Sequence, residues 1–251
     1  MISYPGGKRF SAISGLVLDV NADVGVSQSG GYITGVADQS QSGNNLVPFT
    51  SSGYYAPTLV PNALNGKAAI VFSGGSSLGN ASSISIPCLG PLHLFAVVKA
   101  QSSSWWANGG ILFFAPYATS NVNGFGLIWS YSSGNGNYYG YDQVAGGNMD
   151  WFQNAQTPTI PHVVEMHISY GVNEKPVARV DGALQPFTAG TASNLSSGSG
   201  FTIGGYGLNE AAVRNFTGAL RRLLVYNREL SNYEAGVVRR VLGLQNGIPV
   251  S

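Results

Sequence analysis

Short runs rich in apolar and aromatic residues recur along this 251-residue chain, and residues 219–226 alternate with a period of two, the pattern of a β-strand. Turn residues such as Gly, Asn and Ser separate the runs at intervals typical of a β-sandwich. Residues 92–99 are apolar on both faces near the middle, which predicts a central strand in a two-layer structure. The predicted strands are 16–20, 32–36, 68–72, 92–99, 111–114, 125–131, 138–141, 163–170, 177–182, 201–205 and 219–226.

A helical pattern follows the closing strand near the end of the chain. Ser231 and Glu234 have the spacing of a capping box, in which each side chain satisfies a free backbone donor at a helix start. The apolar residues after them fall on one helical face: Val237, Val238, Val241 and Leu242. The sequence therefore predicts an all-β protein with one short C-terminal helix.

Composition favours a single domain. Hydrophobic residues make up 44% of the chain and aromatic residues 11%, enough to bury a substantial core although only 9% of residues are charged. The 35 glycines suit a chain with many tight turns. No charged or Pro-rich linker interrupts the sequence, so we expect an irregular N-terminal arm at 1–14 and one domain at 15–251.

Net charge, cysteine content and the lack of a long apolar run give further expectations about partners and location. The net charge of +1 leaves no basic surplus to neutralise phosphates, so we expect no nucleic-acid partner. The pairs Arg221–Arg222 and Arg239–Arg240 are expected at the solvated ends of a strand and a helix. Cys88 is the only cysteine and is expected to be a small buried residue. Neither a signal peptide nor an apolar run of ~20 residues is visible, which predicts a protein made without export and without a membrane partner.

Several short motifs recur in the order and spacing of a known fold family. They are LVLDVNADVG at 16–25, VADQS at 36–40, SGNN at 42–45, NALNGK at 62–67, IVFSG at 70–74, RVDG at 179–182 and the stretch from Gly218 to Glu234. Together they resemble the concanavalin A-like, laminin-G-type domains over roughly residues 15–245. The resemblance implies a jelly-roll sandwich of two antiparallel sheets, one of them concave. Its members often recognise sugars or proteins, and they occur in bacterial surface proteins and phage virion proteins.

This resemblance, with the initial Met and the missing leader, favours a non-catalytic phage virion surface protein, either capsid decoration or tail-associated. The expected partners are other virion proteins of the capsid or tail, and the expected state is an oligomer on the particle. The alternative is a secreted or cell-surface carbohydrate-binding module. A carbohydrate-active enzyme is a third hypothesis, with less support than the other two.

An uncharged aromatic stretch is the candidate ligand site. Between Lys99 and Asp142 the chain has no charged residue and many Trp, Tyr, Phe, Asn, Ser and Gly residues, a composition suited to stacking on a neutral glycan or to a protein interface. We expect Phe113, Phe125 and Trp129 to face the core. The predicted ligand-binding residues are Trp105, Trp106, Tyr138, Tyr139, Tyr141 and Trp151.

Metal binding and catalysis have weaker signals. Asp142, Asn148 and Asp150 lie close together in a Gly-rich stretch, and their oxygen atoms would suit Ca²⁺ if any ion is bound; no other cofactor is predicted. A sandwich glycosidase needs two carboxylates that flank the scissile bond. Glu165 is the only acid on its strand, and Asp23 and Asp38 are expected to organise turns. The sequence thus predicts that the protein is not an enzyme.

Overall fold

The computed structural model describes residues 10–49, 55–80, 91–100, 109–114, 124–132, 135–143, 149–152, 155–156, 160–168, 177–185, 187–188, 201–204 and 216–251. Strands between residues 109 and 156, and the strand at 187–188, are described by their backbone pairing. Cys88 and residues 1–9 of the predicted arm lie outside the described residues.

The described part of the chain is all-β, with a single helix near its C-terminal end. The strands are β1 (Leu16–Asn21), β2 (Val26–Ser29), β3 (Tyr32–Val36), β4 (Val47–Pro48), β5 (Thr58–Leu64), β6 (Lys67–Ser73), β7 (Leu78–Asn80), β8 (Leu92–Ala100), β9 (Gly109–Phe114), β10 (Gly124–Ser132), β11 (Asn135–Gln143), β12 (Met149–Phe152), β13 (Ala155–Gln156), β14 (His162–Ile168), β15 (Val177–Val180), β16 (Ala183–Leu184), β17 (Phe187–Thr188), β18 (Phe201–Ile203) and β19 (Thr217–Tyr226). The helix is α1 (Asn232–Asn246). All the strands predicted from the pattern are present; the prediction missed short or exposed strands such as β2 and β5.

The strands form two large antiparallel sheets and a separate hairpin. The first sheet has the order β16-β15-β14-β8-β19-β6-β5, and β1 also pairs with β19. The second sheet has the order β17-β12-β11-β10-β9-β18-β7-β4, and β13 also pairs with β11. Strands β2 and β3 form a separate two-stranded sheet. Strand β8 lies between β14 and β19, which confirms its predicted central position.

Both faces of the first sheet are buried. One face joins the second sheet in a core that includes Leu94 and Leu223 from the first sheet and Leu78, Phe201 and Ile203 from the second. The other face packs under α1, in a core cluster that includes Phe95, Tyr226, Val238 and Leu242. This arrangement explains why the sequence of β8 is apolar on both faces.

The predicted capping box starts α1. The Ser231 side chain accepts a hydrogen bond from the Glu234 backbone N–H at 3.3 Å, and the Glu234 carboxylate accepts one from the Ser231 backbone N–H at 2.9 Å. The helix ends at Gly247, whose φ of 64° is left-handed and typical of a helix C-terminus. Within the described residues, no helix is long and apolar enough to cross a membrane.

The N-terminal residues that the structure describes pack against the first sheet. Phe10 is 4% exposed and belongs to the core under α1. The Tyr226 hydroxyl lies 3.5 Å from the Phe10 carbonyl oxygen, and Arg228 donates to the Ser14 carbonyl at 3.0 Å. The boundary between an arm at 1–14 and a domain at 15–251 stays a prediction.

Gly204 is a position where a glycine is required for two reasons. Its φ is +86°, and a Cβ there would overlap the ring of the buried Phe72. We expect Gly204→Ala to lower the free energy of unfolding by about 3 kcal/mol, because left-handed strain and overpacking add. Gly30, with φ +59° and no atom within 4 Å of the place that a Cβ would occupy, is the control. Gly30→Ala should cost only about 1 kcal/mol in urea unfolding; equal losses in the two variants would contradict this account.

Candidate functional site

A closed polar network lies between the first sheet and α1. His93 on β8 and Glu165 on β14 are joined by a 2.9 Å contact between Nε2 and Oε1, and Arg239 of α1 donates to the other Glu165 oxygen at 2.5 Å. The Leu230 backbone N–H donates to His93 Nδ1 at 3.3 Å. The contact with the Leu230 N–H assigns the acceptor role to Nδ1, so Nε2 is the nitrogen that donates to Glu165. Both ring nitrogens are engaged, so the network fastens the helix to the sheet and leaves no free base.

The pKa of Glu165 reflects this network. Burial alone would raise the pKa of this carboxyl, but hydrogen bonds from His93 and Arg239 hold the pKa below its usual range. Glu165 is the only acid on its strand, as the sequence suggested, yet its partners come from other elements. Sequence spacing gave no sign of them.

The prediction of solvated arginines on the closing strand is wrong. Arg221 and Arg222 are 8% and 9% exposed. Arg222 lies 2.6 Å from Asp19 of β1, and Arg221 pairs with Asp23 while donating to the Ala68 carbonyl at 2.9 Å. The reason is that β19 is covered on both faces, by the second sheet and by α1, so neither arginine reaches solvent; an irregularity in the β8–β19 pairing between Leu220 and Arg222 also breaks the period-two alternation here.

Asp23 and Asp38 differ in their roles. Asp38 organises its turn as predicted: its carboxylate accepts from the backbone N–H groups of Ser40 at 2.9 Å and Asn44 at 2.9 Å. The carboxylate of Asp23 pairs with Arg221, and its backbone N–H donates to Asn21 Oδ1 at 3.0 Å in the turn after β1; a turn role for its side chain stays a prediction. Among the described residues, no group of three His, Cys, Asp or Glu residues could hold a metal ion.

The second sheet has one face that can be assigned to the core by register. Phe201 is buried in the inter-sheet core, and it pairs with Phe114 on β9, which pairs with Phe125 on β10. Paired residues share a face and neighbours along a strand alternate. Phe125 and Trp129 therefore take core-side positions. We call the opposite side of this sheet the distal face.

Register divides the predicted ligand residues. Tyr138 pairs with Trp129 and so takes a core-side position, whereas Tyr139 and Tyr141 take positions on the distal face. Trp151 also falls on the distal face, because Asp150, its neighbour on β12, pairs with Asp142 on the core side. The structure thus brings three of the six positions to one face. Trp105 and Trp106 lie outside the described residues.

Phe113 is a distal-face position that the sequence analysis missed. It pairs with Gly126, which pairs with Tyr141. We expected Phe113 to face the core with Phe125 and Trp129, but it lies on the other side of β9 by register. A uniformly apolar run such as 111–114 does not by itself say which of two adjacent phenylalanines is inward.

The predicted metal ligands include an unexpected cross-strand pair. Asp142 at the end of β11 is directly opposite Asp150 on β12, on core-side positions. Two like charges in such positions repel unless a proton or a cation compensates them. Asn148 lies outside the described residues, and Ca²⁺ binding stays a prediction.

The sequence and the fold were compared with those of known proteins. No protein-family model matches the sequence, and no curated protein matches it. Among solved structures, domain 4 of an extracellular arabinanase from Geobacillus stearothermophilus, in complex with arabinotriose, superposes with a TM-score of 0.58 at 12% identity, over 89% of this chain and 98% of that chain. A mutant of Trypanosoma rangeli sialidase displaying trans-sialidase activity gives a TM-score of 0.61 at 16% identity, over 95% of this chain and 34% of that one.

The binding domain of Paraclostridial Mosquitocidal Protein 1 gives a TM-score of 0.56 at 13% identity, over 93% of this chain and 53% of that one. The fold is a jelly-roll-like β-sandwich. At these identities the likeness extends to the fold alone. This chain spans about a third of the sialidase and about half of the mosquitocidal binding domain, but nearly all of the arabinanase domain.

The Asp19–Arg222 pair should make stability depend on pH. Burial raises the pKa of Asp19 to about 6, against the lowering effect of Arg222. Because the pKa is higher in the folded chain than in the unfolded chain, the stability from this group is complete below about pH 3.8 and is lost as pH rises through about 6. We expect the stability of the unmodified protein, relative to Asp19→Asn, to fall by about 1 kcal/mol between about pH 5 and about pH 7.5.

The measurement is urea unfolding of both proteins at the two pH values. Subtracting the variant removes the contribution of the histidines, which both proteins share. A difference that does not change with pH, or that grows as pH rises, would refute the raised pKa of Asp19.

Proposed function

We propose that this chain is a non-catalytic carbohydrate-binding module that binds a neutral glycan on the distal face of its second sheet. The observation that carries the proposal is the register of β11 and β12, which gives Tyr139, Tyr141 and Trp151 positions on one face. These residues belong to, or directly follow, a stretch from Ala100 to Tyr141 that has no charged residue.

The residue types on this face suit sugar recognition. Small-molecule sites are lined mainly by apolar and aromatic side chains, with a few polar groups that fix orientation. Ser130 and Asn137 are paired distal-face positions on β10 and β11, and Gln143 is another at the end of β11. Hydroxyl and amide groups can bond sugar hydroxyls without selecting a charge. An anionic glycan would call for Arg or Lys, which this stretch lacks.

The structural neighbours are compatible with this class of function. One is an arabinanase domain in complex with arabinotriose, and another is described as the binding domain of a mosquitocidal protein. They favour the carbohydrate-binding module that the sequence offered as its alternative. The role in a phage virion, with capsid or tail proteins as partners, has no support from these neighbours and stays a prediction.

The non-catalytic part of the proposal rests on the acidic residues. Asp19, Asp23 and Glu165 are paired with arginines, and Asp38 holds a turn. The cross-strand pair of Asp142 and Asp150 remains to be tested, because retaining glycosidases place two carboxyl groups about 5 Å apart. Turnover therefore has to be measured together with binding.

The binding test is affinity electrophoresis of the protein through gels that contain neutral polysaccharides: arabinan, xylan, mannan and mixed-linkage glucan. We expect one or more of them to retard the protein. The Tyr141→Ala/Trp151→Ala variant should bind at least about tenfold more weakly, since each lost aromatic contact contributes on the order of 1 kcal/mol.

Tyr233→Ala is the matched control. This tyrosine is 77% exposed on α1, which packs on the first sheet and not on the second. Its substitution should leave retardation unchanged. Failure of the unmodified protein to bind any neutral polysaccharide would refute the proposal, and unchanged binding by the double variant would refute the location of the site. Release of reducing sugar that Asp142→Asn abolishes would show that the protein is an enzyme.

A further inference from the structure

The distal face carries a row of residues that crosses the second sheet at right angles to its strands. Gly79 on β7 pairs with Thr202 on β18, Thr202 with Phe113 on β9, Phe113 with Gly126 on β10, and Gly126 with Tyr141 on β11. Directly paired residues of antiparallel strands lie side by side, so these five positions form one line. We call it the distal row.

The row continues beyond β11. Asp142 on β11 pairs with Asp150 on β12, and the two strands are antiparallel. Tyr141, one residue before Asp142, therefore lies beside Trp151, one residue after Asp150. Trp151 in turn pairs with Thr188 of β17. The row therefore reaches the β17 edge of the sheet with aromatic residues on β9, β11 and β12.

The side chain of Phe49 covers the other end of the row, at β7. Gly79 has no side chain, and a Cβ at this position would overlap the ring of Phe49. Phe49 therefore lies over the distal face at β7, and Thr202 beside Gly79 is only 4% exposed. The accessible part of the row should begin at β9 and run toward β17.

The spacing of the row suits a chain of sugars. Neighbouring strands are about 4.8 Å apart, which is similar to the length of one sugar unit in an extended glycan. Gly126 lies between Phe113 and Tyr141 and leaves a low point between two aromatic positions. Positions along one strand are spaced differently: Tyr139 and Tyr141 are two residues apart, or about 7 Å.

We propose that the distal row binds an extended run of a linear, neutral polysaccharide laid across strands β9 to β12, and not a terminal sugar. This inference rests on the proposed function and adds the form and direction of the ligand. The row has aromatic positions on three of these four strands and no charged position, so neighbouring units of one chain would meet neighbouring strands.

The first test is the dependence of affinity on ligand length. The probes are the disaccharide, tetrasaccharide and hexasaccharide of the arabinan, xylan, mannan and cellulose series, titrated by calorimetry. For the series that binds, we expect affinity to rise at least about tenfold from disaccharide to hexasaccharide. Equal affinity for disaccharide and hexasaccharide would overturn this inference and leave the proposed function standing. Binding to no probe and to no polysaccharide would refute the proposed function itself.

The second test separates a ligand across the strands from one along β11. Tyr141→Ala should weaken hexasaccharide binding at least about tenfold. Tyr139→Ala is the matched control, because Tyr139 shares the strand and the face but pairs with Ile128, outside the row. Because Tyr139 also lies on the proposed binding face, some loss is expected, but it should be at least about threefold smaller than the loss caused by Tyr141→Ala. Equal losses in the two variants would indicate a ligand that follows β11 and would overturn the proposed direction.

A third variant fills the low point in the row. Gly126→Val should weaken hexasaccharide binding more than disaccharide binding, because the added side chain would stand in the path of an extended chain. Urea unfolding checks that the variant is folded. If it does not fold, Phe113→Leu, which keeps an apolar residue without an aromatic ring, serves instead. Full retention of hexasaccharide binding in the folded variant would contradict the proposal.

Discussion

Burial of the first sheet on both faces is the constraint on which the rest of the structure depends. One face joins the second sheet and the other lies under α1, so polar side chains on this sheet have little access to water. A buried charge is costly unless it is paired and hydrogen-bonded. Arg221, Arg222 and Glu165 each find such partners. Part of the small charge complement of this chain is thereby used inside the fold.

The second sheet is built largely from an uncharged stretch of the chain. The stretch from Ala100 to Tyr141, which forms β9, β10 and most of β11, has no charged residue, so its distal face depends on aromatic, amide and hydroxyl groups. Sites on strands are held more precisely than sites on loops. The two sheets thus differ in composition: the first combines apolar packing with buried ion pairs, and an uncharged stretch rich in aromatic residues supplies most of three strands of the second.

The regular elements could be predicted from the sequence because they depend on local pattern. Apolar runs bounded by turn residues located the long strands, and Ser231 with Glu234 located the start of α1. The burial of Arg221 and Arg222 could not be predicted, because it depends on the coverage of β19 from both sides and on partners that are distant in sequence. The candidate site was predicted only in part. Composition singled out Tyr139, Tyr141 and Trp151. The strand register was needed to show that Tyr138 takes a position on the opposite face from these three residues and that Phe113 takes a position on the same face.

Register also links the core to the distal row. A shift by one residue would exchange the two faces of a strand. On β18, Phe201 and Ile203 are buried in the inter-sheet core, and Thr202 between them belongs to the row. Leu78 on β7 pairs with Ile203 in that core, and Phe49 covers Gly79 on the opposite face. Burial of these apolar residues therefore fixes the register of β18. That register determines the face on which Phe113 lies, and with it the position of the rest of the row.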